Sequence, residues 1–146
     1  MPDAEKNRAY AYLSVSEFSC SVEELTQRIG LQPTQAWRAG EIVPPVRFPR
    51  KFSVWRLRSR LPSSEEVERH VVDVLNQVCG HEAVLHDIAR DYKIRIQCVG
   101  YFNEYNPGFF LDADTVRRIA ECGMTLDLDS YHFYTQKEEA EAAEEL

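Results

Sequence analysis

A chain of 146 residues with 44% hydrophobic and 11% aromatic residues has the size and composition of one globular domain. No apolar run approaches the roughly 18 residues of a membrane span, and the charged start from Met1 to Arg8 lacks the apolar core of a signal peptide, which predicts a cytoplasmic protein. The net charge of −7 argues against phosphate-backbone binding, and the scattered Cys20, Cys79, Cys98 and Cys122, with no Cys-x-x-Cys pair, argue against a disulfide framework.

The charge is unevenly placed. From Lys137 to Leu146 there are five glutamates and one lysine, a net of −4, which leaves −3 for the rest. The reading is therefore a disordered N-terminal segment at 1–8, a single domain at 9–135 and an acidic tail at 136–146.

Residues 9–16 alternate: Ala11, Leu13 and Val15 share one face, Tyr10, Tyr12 and Ser14 the other. This predicts a half-buried strand. Ser21 and Glu24 form a capping box that opens a short helix, with Val22, Leu25 and Ile29 inward and Gly30 as its left-handed stop. Gln35 to Arg38 is a short extended edge. Three prolines in 40–51 predict a surface loop with a basic end. Phe52 to Ser59 alternates again, with Trp55 and Leu57 opposite Val54, Arg56 and Arg58.

After Pro62, a second capping box of Ser63 and Glu66 opens the longest helix. Its inner stripe is Val67, Val71, Val74, Leu75 and Val78. His81 to Arg90 reads as another helix, with Val84, Leu85 and Ile88 inward. Tyr92 to Phe102 is a strand with Ile94, Ile96 and Cys98 in the core. Residues 103–108 are turn chemistry. Asp112 caps a last helix with Val116, Ile119 and Ala120 inward, and Thr125 to Tyr134 is the final strand, with Asp127, Asp129 and Tyr131 on one face.

The order β-α-β-β-α-α-β-α-β contains an echo. Ala11–Val15 leading to Ser21–Leu31 resembles Ile94–Cys98 leading to Asp112–Met124. The expected fold class is α+β: an antiparallel-rich mixed sheet with helices on one face, built from two ferredoxin-like β-α-β halves. The second face of that sheet would carry Tyr10, Tyr12, Arg56, Arg58, Lys93, Arg95, Asp127, Asp129 and Tyr131, provided no strand slips its register.

Three stretches also resemble a bacterial family known as domain of unknown function 4279. They are Gly30-Leu31-Gln32-Pro33-Thr34-Gln35-Ala36-Trp37-Arg38-Ala39-Gly40, the aromatic strand Phe52–Leu57, and Gly123-Met124-Thr125-Leu126-Asp127-Leu128-Asp129-Ser130-Tyr131. The resemblance spans roughly 9–134. It implies a compact α+β domain and carries no catalytic residue over.

No nucleophile elbow, phosphate-binding loop or dinucleotide fingerprint is present. Cys79, His81 and His86 match no zinc spacing. Nothing in the sequence places a histidine beside Cys20 or Cys98. Asp127 and Asp129 share a strand face, but without a third acid or a histidine they read as a charge ladder rather than a metal or acid/base site. The tyrosines beside arginines suggest an RNA platform, against which stand the missing RNA-recognition signature and the acidic balance.

The expectation is thus a non-enzymatic protein-binding domain with no cofactor, no metal, no nucleic acid and no membrane partner. Trp37, Arg38, Arg47 and Arg50, around the proline-rich loop, and Asp127, Asp129 and Tyr131 are the expected contacts. By analogy with small bacterial proteins of this kind, the partner would be a toxin that the domain neutralises by occlusion, as an immunity protein. The acidic balance would suit a basic partner. The alternative is a small-ligand or regulatory domain, with a pocket between the sheet and the 40–51 and 103–110 loops.

Overall fold

A computed structural model describes residues 6–134. Strands β1 (Arg8–Ser16), β2 (Gln35–Trp37), β3 (Val54–Arg58), β4 (Lys93–Phe102) and β5 (Thr125–His132) form one sheet in the order β2-β3-β1-β4-β5. Helices α1 (Val22–Ile29), α2 (Val67–Gln77), α3 (Glu82–Ile88) and α4 (Ala113–Glu121) complete the predicted element order. The sheet is mixed: β1 pairs antiparallel with β3 and β4, β2 antiparallel with β3, and β4 parallel with β5.

Period-two alternation decides which face each strand residue takes. Leu13 sits between Leu57 and Ile96, and Val15 between Trp55 and Ile94. All four helices contribute to the same buried cluster as these strand residues: Leu25 and Ile29 from α1, Val71 and Val74 from α2, Leu85 and Ile88 from α3, Ile119 from α4. The core is therefore one layer between the helices and one face of the sheet. Among the described residues, no helix lies on the opposite face.

Strand-helix-strand order occurs in both places where the sequence echoes itself, with different geometry. In β4-α4-β5 the two strands are parallel neighbours. In β1-α1-β2 they are parallel but separated by β3, which pairs antiparallel with each.

Several local expectations hold. Ser21 Oγ accepts a hydrogen bond from the Glu24 amide at 3.0 Å, and Gly30, at φ +84°, ends α1 in the left-handed conformation with its amide on Thr26 O. Asp112 caps α4 by accepting from the Thr115 amide at 2.8 Å. The stripe of α2 is buried as predicted.

Three expectations need correction. The Ser63–Glu66 box does not form: Glu66 is the N-cap of α2 without a side-chain bond, and the Ser63 carbonyl instead accepts from the Ala9 amide, which ties this turn to β1. The inner face of α4 is rotated from the predicted one. Val116 is 53% exposed and Ala120 also faces solvent, while Thr115, Ile119 and Cys122 are buried. Finally, three residues assigned to the disordered N-terminal segment are held in place. Arg8 opens β1, the Asn7 side chain accepts from the amides of Asn103 and Glu104, and the Lys6 carbonyl accepts from Asn103. The rest of that segment, and the tail at 136–146, lie outside the described residues.

Beneath the sheet, His70 is fully buried and its Nδ1 lies 2.7 Å from Ser59 Oγ. The Leu61 amide donates to the same oxygen, and His70 Nε2 has no hydrogen-bond partner among the described residues. Burial lowers the His70 pKa, opposed in part by the Glu65 backbone and reinforced by the Arg58 charge. The folded state thus disfavours the imidazolium. The resulting penalty is absent above the unfolded pKa of about 6.5, grows as pH falls through it and is complete below the lowered folded value. His70→Leu is expected to flatten the loss of stability as pH falls below about 6.5, relative to wild type. Denaturant melts across that range check this; parallel curves for the two proteins would contradict it.

Candidate functional site

The uncovered sheet face carries an interlocked row of aromatic rings and guanidinium groups. The register puts Tyr12 opposite Arg58 on β3 and Gln97 on β4, and Arg8 opposite Tyr101. Across β5, Tyr101 meets Tyr131 and Gln97 meets Asp127. Every face residue expected from alternation is on this side. Sequence reading missed Arg8 and Tyr101, which the same alternation reaches if β1 is begun one residue earlier and β4 is followed to its end.

The contacts run from edge to edge. Arg50 lies 4.2 Å from the Trp37 ring centroid, and Arg56 lies between Trp37 and Tyr12 at 5.1 and 4.6 Å. Arg58 covers Tyr10 at 4.3 Å, Arg8 covers Tyr101 at 5.3 Å, and Tyr101 stacks on Tyr131 at 5.2 Å. Each guanidinium over a ring gains a cation–π attraction of about 0.5–1 kcal/mol where exposed. The practical result is order: these contacts restrict long arginine side chains that would otherwise sample many rotamers. Burial raises the Tyr10 pKa, with the neighbouring Tyr101 adding to it, so Tyr10 stays a neutral phenol.

Trp37 itself is 4% exposed. Its indole N–H donates to Phe52 O at 3.1 Å, and the paired bonds Gly40 N to Arg50 O and Arg50 N to Glu41 O fold the proline-rich loop back over it. Trp37 therefore does not offer its ring to a partner; it backs Arg50 and Arg56, which do reach the surface. Arg38 and Arg47 are exposed, Arg38 with an Nη2 bond to Ser19 O at 3.3 Å.

Asp127, Asp129 and Tyr131 lie at the other edge, on β5. Asp127 pairs with Arg95 at 3.1 Å and Asp129 accepts from Gln97 at 3.1 Å, so the two carboxylates are a ladder along β4. Tyr131 is 46% exposed. The expected contacts thus fall into two groups on opposite edges of the sheet, separated by four strand spacings, about 19 Å. The tyrosines and arginines of β1 and β3 fill the interval.

Among the described residues, no group of three or more histidines, cysteines or acids could hold a metal. His81 Nδ1 is engaged 2.8 Å from Ile29 O. Burial pushes the Cys98 thiol up to about 12 and Cys122 up to about 11, which keeps both protonated and poorly nucleophilic. No described helix is long and apolar enough to cross a membrane.

The 40–51 and 103–110 loops do not share a pocket. The first leads into Val54, paired with Ser16 at one end of β1; the second leaves Phe102, next to Arg8 at the other end. A cavity of about 610 Å³ does lie at the second end, lined by Arg8, Glu66, Glu68, Phe102, Glu104 and Tyr105 among others. Burial and the neighbouring Glu66 raise the Glu68 pKa there.

Residues 7–133 match the model of the family described as Domain of unknown function (DUF4279), and the chain belongs to that family. No curated protein and no solved structure matches it.

Proposed function

We propose, for this member of the DUF4279 family, a non-enzymatic protein-binding role in which the uncovered sheet face is the contact surface. One observation carries the reading: the arginine and tyrosine side chains of that face are already stacked in place before any partner arrives. Tyrosine and arginine dominate the energetics of protein interfaces, and side chains ordered in advance lose less entropy on binding. Neutralisation of a toxin by occlusion is the form of this reading in which the partner is an enzyme whose active site the face covers.

The topology supports a fold reading as well. We take β1–β4, in the order β2-β3-β1-β4, as one ferredoxin-like β-α-β-β-α-β unit, with α4 and β5 added at its β4 edge. The addition widens the open face by one strand, the one that carries Tyr131.

The test is capture of the tagged protein from its native host. One dominant, stoichiometric protein is the expected result. Recovery of no partner from cells shown to express the neighbouring genes contradicts the reading.

The cavity beside Glu68 supports a second reading, a small-ligand site with Phe102 and Tyr105 as apolar walls. It requires a metabolite that raises the melting temperature in proportion to its concentration.

A further inference from the structure

We infer that the β1–β3 side of the open face is built to receive acidic side chains of a polypeptide, with Arg56 and Arg58 as the groups that bind the carboxylates. The inference deepens the protein-binding reading and rests on it. Arg56, Arg58, Tyr10, Tyr12, Thr34 and Gln35 line a shallow cleft of about 340 Å³. Among the described residues, neither arginine has a carboxylate within ion-pair distance, and the same holds for Arg8 and Arg50 on the same face. By contrast Arg28, Arg60, Arg69, Arg90, Arg95 and Arg117 all pair with acids. Four guanidinium groups with no acid paired to them among the described residues thus gather on one face of a chain whose net charge is −7.

Geometry selects the ligand. A guanidinium is a planar fork of N–H donors that matches a carboxylate in bidentate fashion, and Arg56 and Arg58 stand over the Tyr12 and Tyr10 rings with no acid paired to them among the described residues. Arg56 also has a buried Nε–H with no hydrogen-bond partner. Thr34 and Gln35 supply polar groups at the rim. Nucleobases are disfavoured because the guanidinium groups occupy faces of Tyr10 and Tyr12 on which bases would stack. A long polyanion would also meet Asp127 and Asp129 across the sheet. The partner surface is therefore acidic opposite β3 and β1 and carries basic or hydroxyl groups opposite β5. This reverses the basic partner expected from net charge alone, because the local field of the face and the charge of the whole chain differ in sign.

The experiment measures binding of a fluorescent glutamate-rich peptide, its lysine-rich counterpart and an oligouridylate by polarisation at two salt concentrations. Proteins are the wild type, the double variant Arg56→Gln/Arg58→Gln and the pair Arg56→Lys/Arg58→Lys, each checked for an unchanged melting temperature. The expected result is binding of the glutamate peptide alone, weakened about tenfold or more in the glutamine variant and incompletely restored by lysine, which keeps the charge and loses the fork. Equal binding of the glutamate peptide by wild type and glutamine variant, no binding by any protein, or tighter binding of the oligouridylate would each overturn the inference. With the captured partner the two levels separate. If Tyr131→Ala weakens that complex and Arg56→Gln/Arg58→Gln does not, the face stands and the acidic contact falls. If neither substitution matters, the face itself is wrong.

Discussion

Trp55→Ala is expected to lower the free energy of unfolding by about 3–5 kcal/mol, the range for deleting a buried large aromatic side chain. Trp55 is fully buried and lies on the inner face of β3, opposite Val15 on β1 and Ala36 on β2. Its indole N–H donates to Thr26 Oγ1 at 3.1 Å, so one side chain joins three strands to α1. Truncation leaves a cavity that a five-stranded sheet cannot close by local movement. Trp55→Phe restores most of the burial and isolates the hydrogen bond, worth about 1 kcal/mol. Urea titrations with unchanged slopes read both values. A loss below about 1 kcal/mol for the alanine variant would mean the sheet and α1 are not joined through this ring.

Asp73→Ala is expected to cost about 1.5–3 kcal/mol, the scale of hydrogen bonds to a charged group in a partly buried site. Its carboxylate accepts from the Arg60 backbone amide at 2.8 Å, from the Arg60 guanidinium at 2.8 Å and from Gln77 at 3.1 Å. Those bonds fix the chain that leaves β3 against α2. Burial alone would raise the Asp73 pKa; the bonds and charge of Arg60 outweigh it and hold the carboxyl below the usual range. The stabilisation is therefore present in full above the unfolded value of about 4 and is lost as pH falls through the lowered folded value. Asp73→Asn should be less stable than wild type at neutral pH and converge on it in acid. Constant separation of the two melting curves down to pH 2 would refute the assignment.

Much of the fold was legible because a strand's side chains repeat every two residues. One correct phase in β1, β3 and β4 places both the core and the open face, and the structure keeps all three phases. The helix α4 was harder. It has nine residues, one of its two buried positions is Thr115, and its most apolar surface residue, Val116, faces solvent. Apolar type alone therefore points to the wrong stripe. Trp37 was misjudged for a non-local reason: what covers it is Arg50, thirteen positions on, brought back by the Gly40–Arg50 bonds. Nothing within β2 signals that return. The shared pocket failed on topology, since the two loops fall at opposite ends of β1. For the site, sequence pattern named its residue types and most of its members; the stacking that orders them required the register of three strands at once.

The central claim is that the uncovered sheet face, and not the helix layer, meets the partner. Alanine substitutions on the captured complex test it most directly: Tyr131→Ala and Asp129→Ala on the face, against Arg69→Ala and Glu65→Ala, which remove an exposed ion pair near the start of α2. The account predicts that at least one face substitution weakens binding by about 2 kcal/mol, while both helix substitutions leave it within about 0.5 kcal/mol. Weakening by the helix substitutions with the face variants unaffected would contradict it.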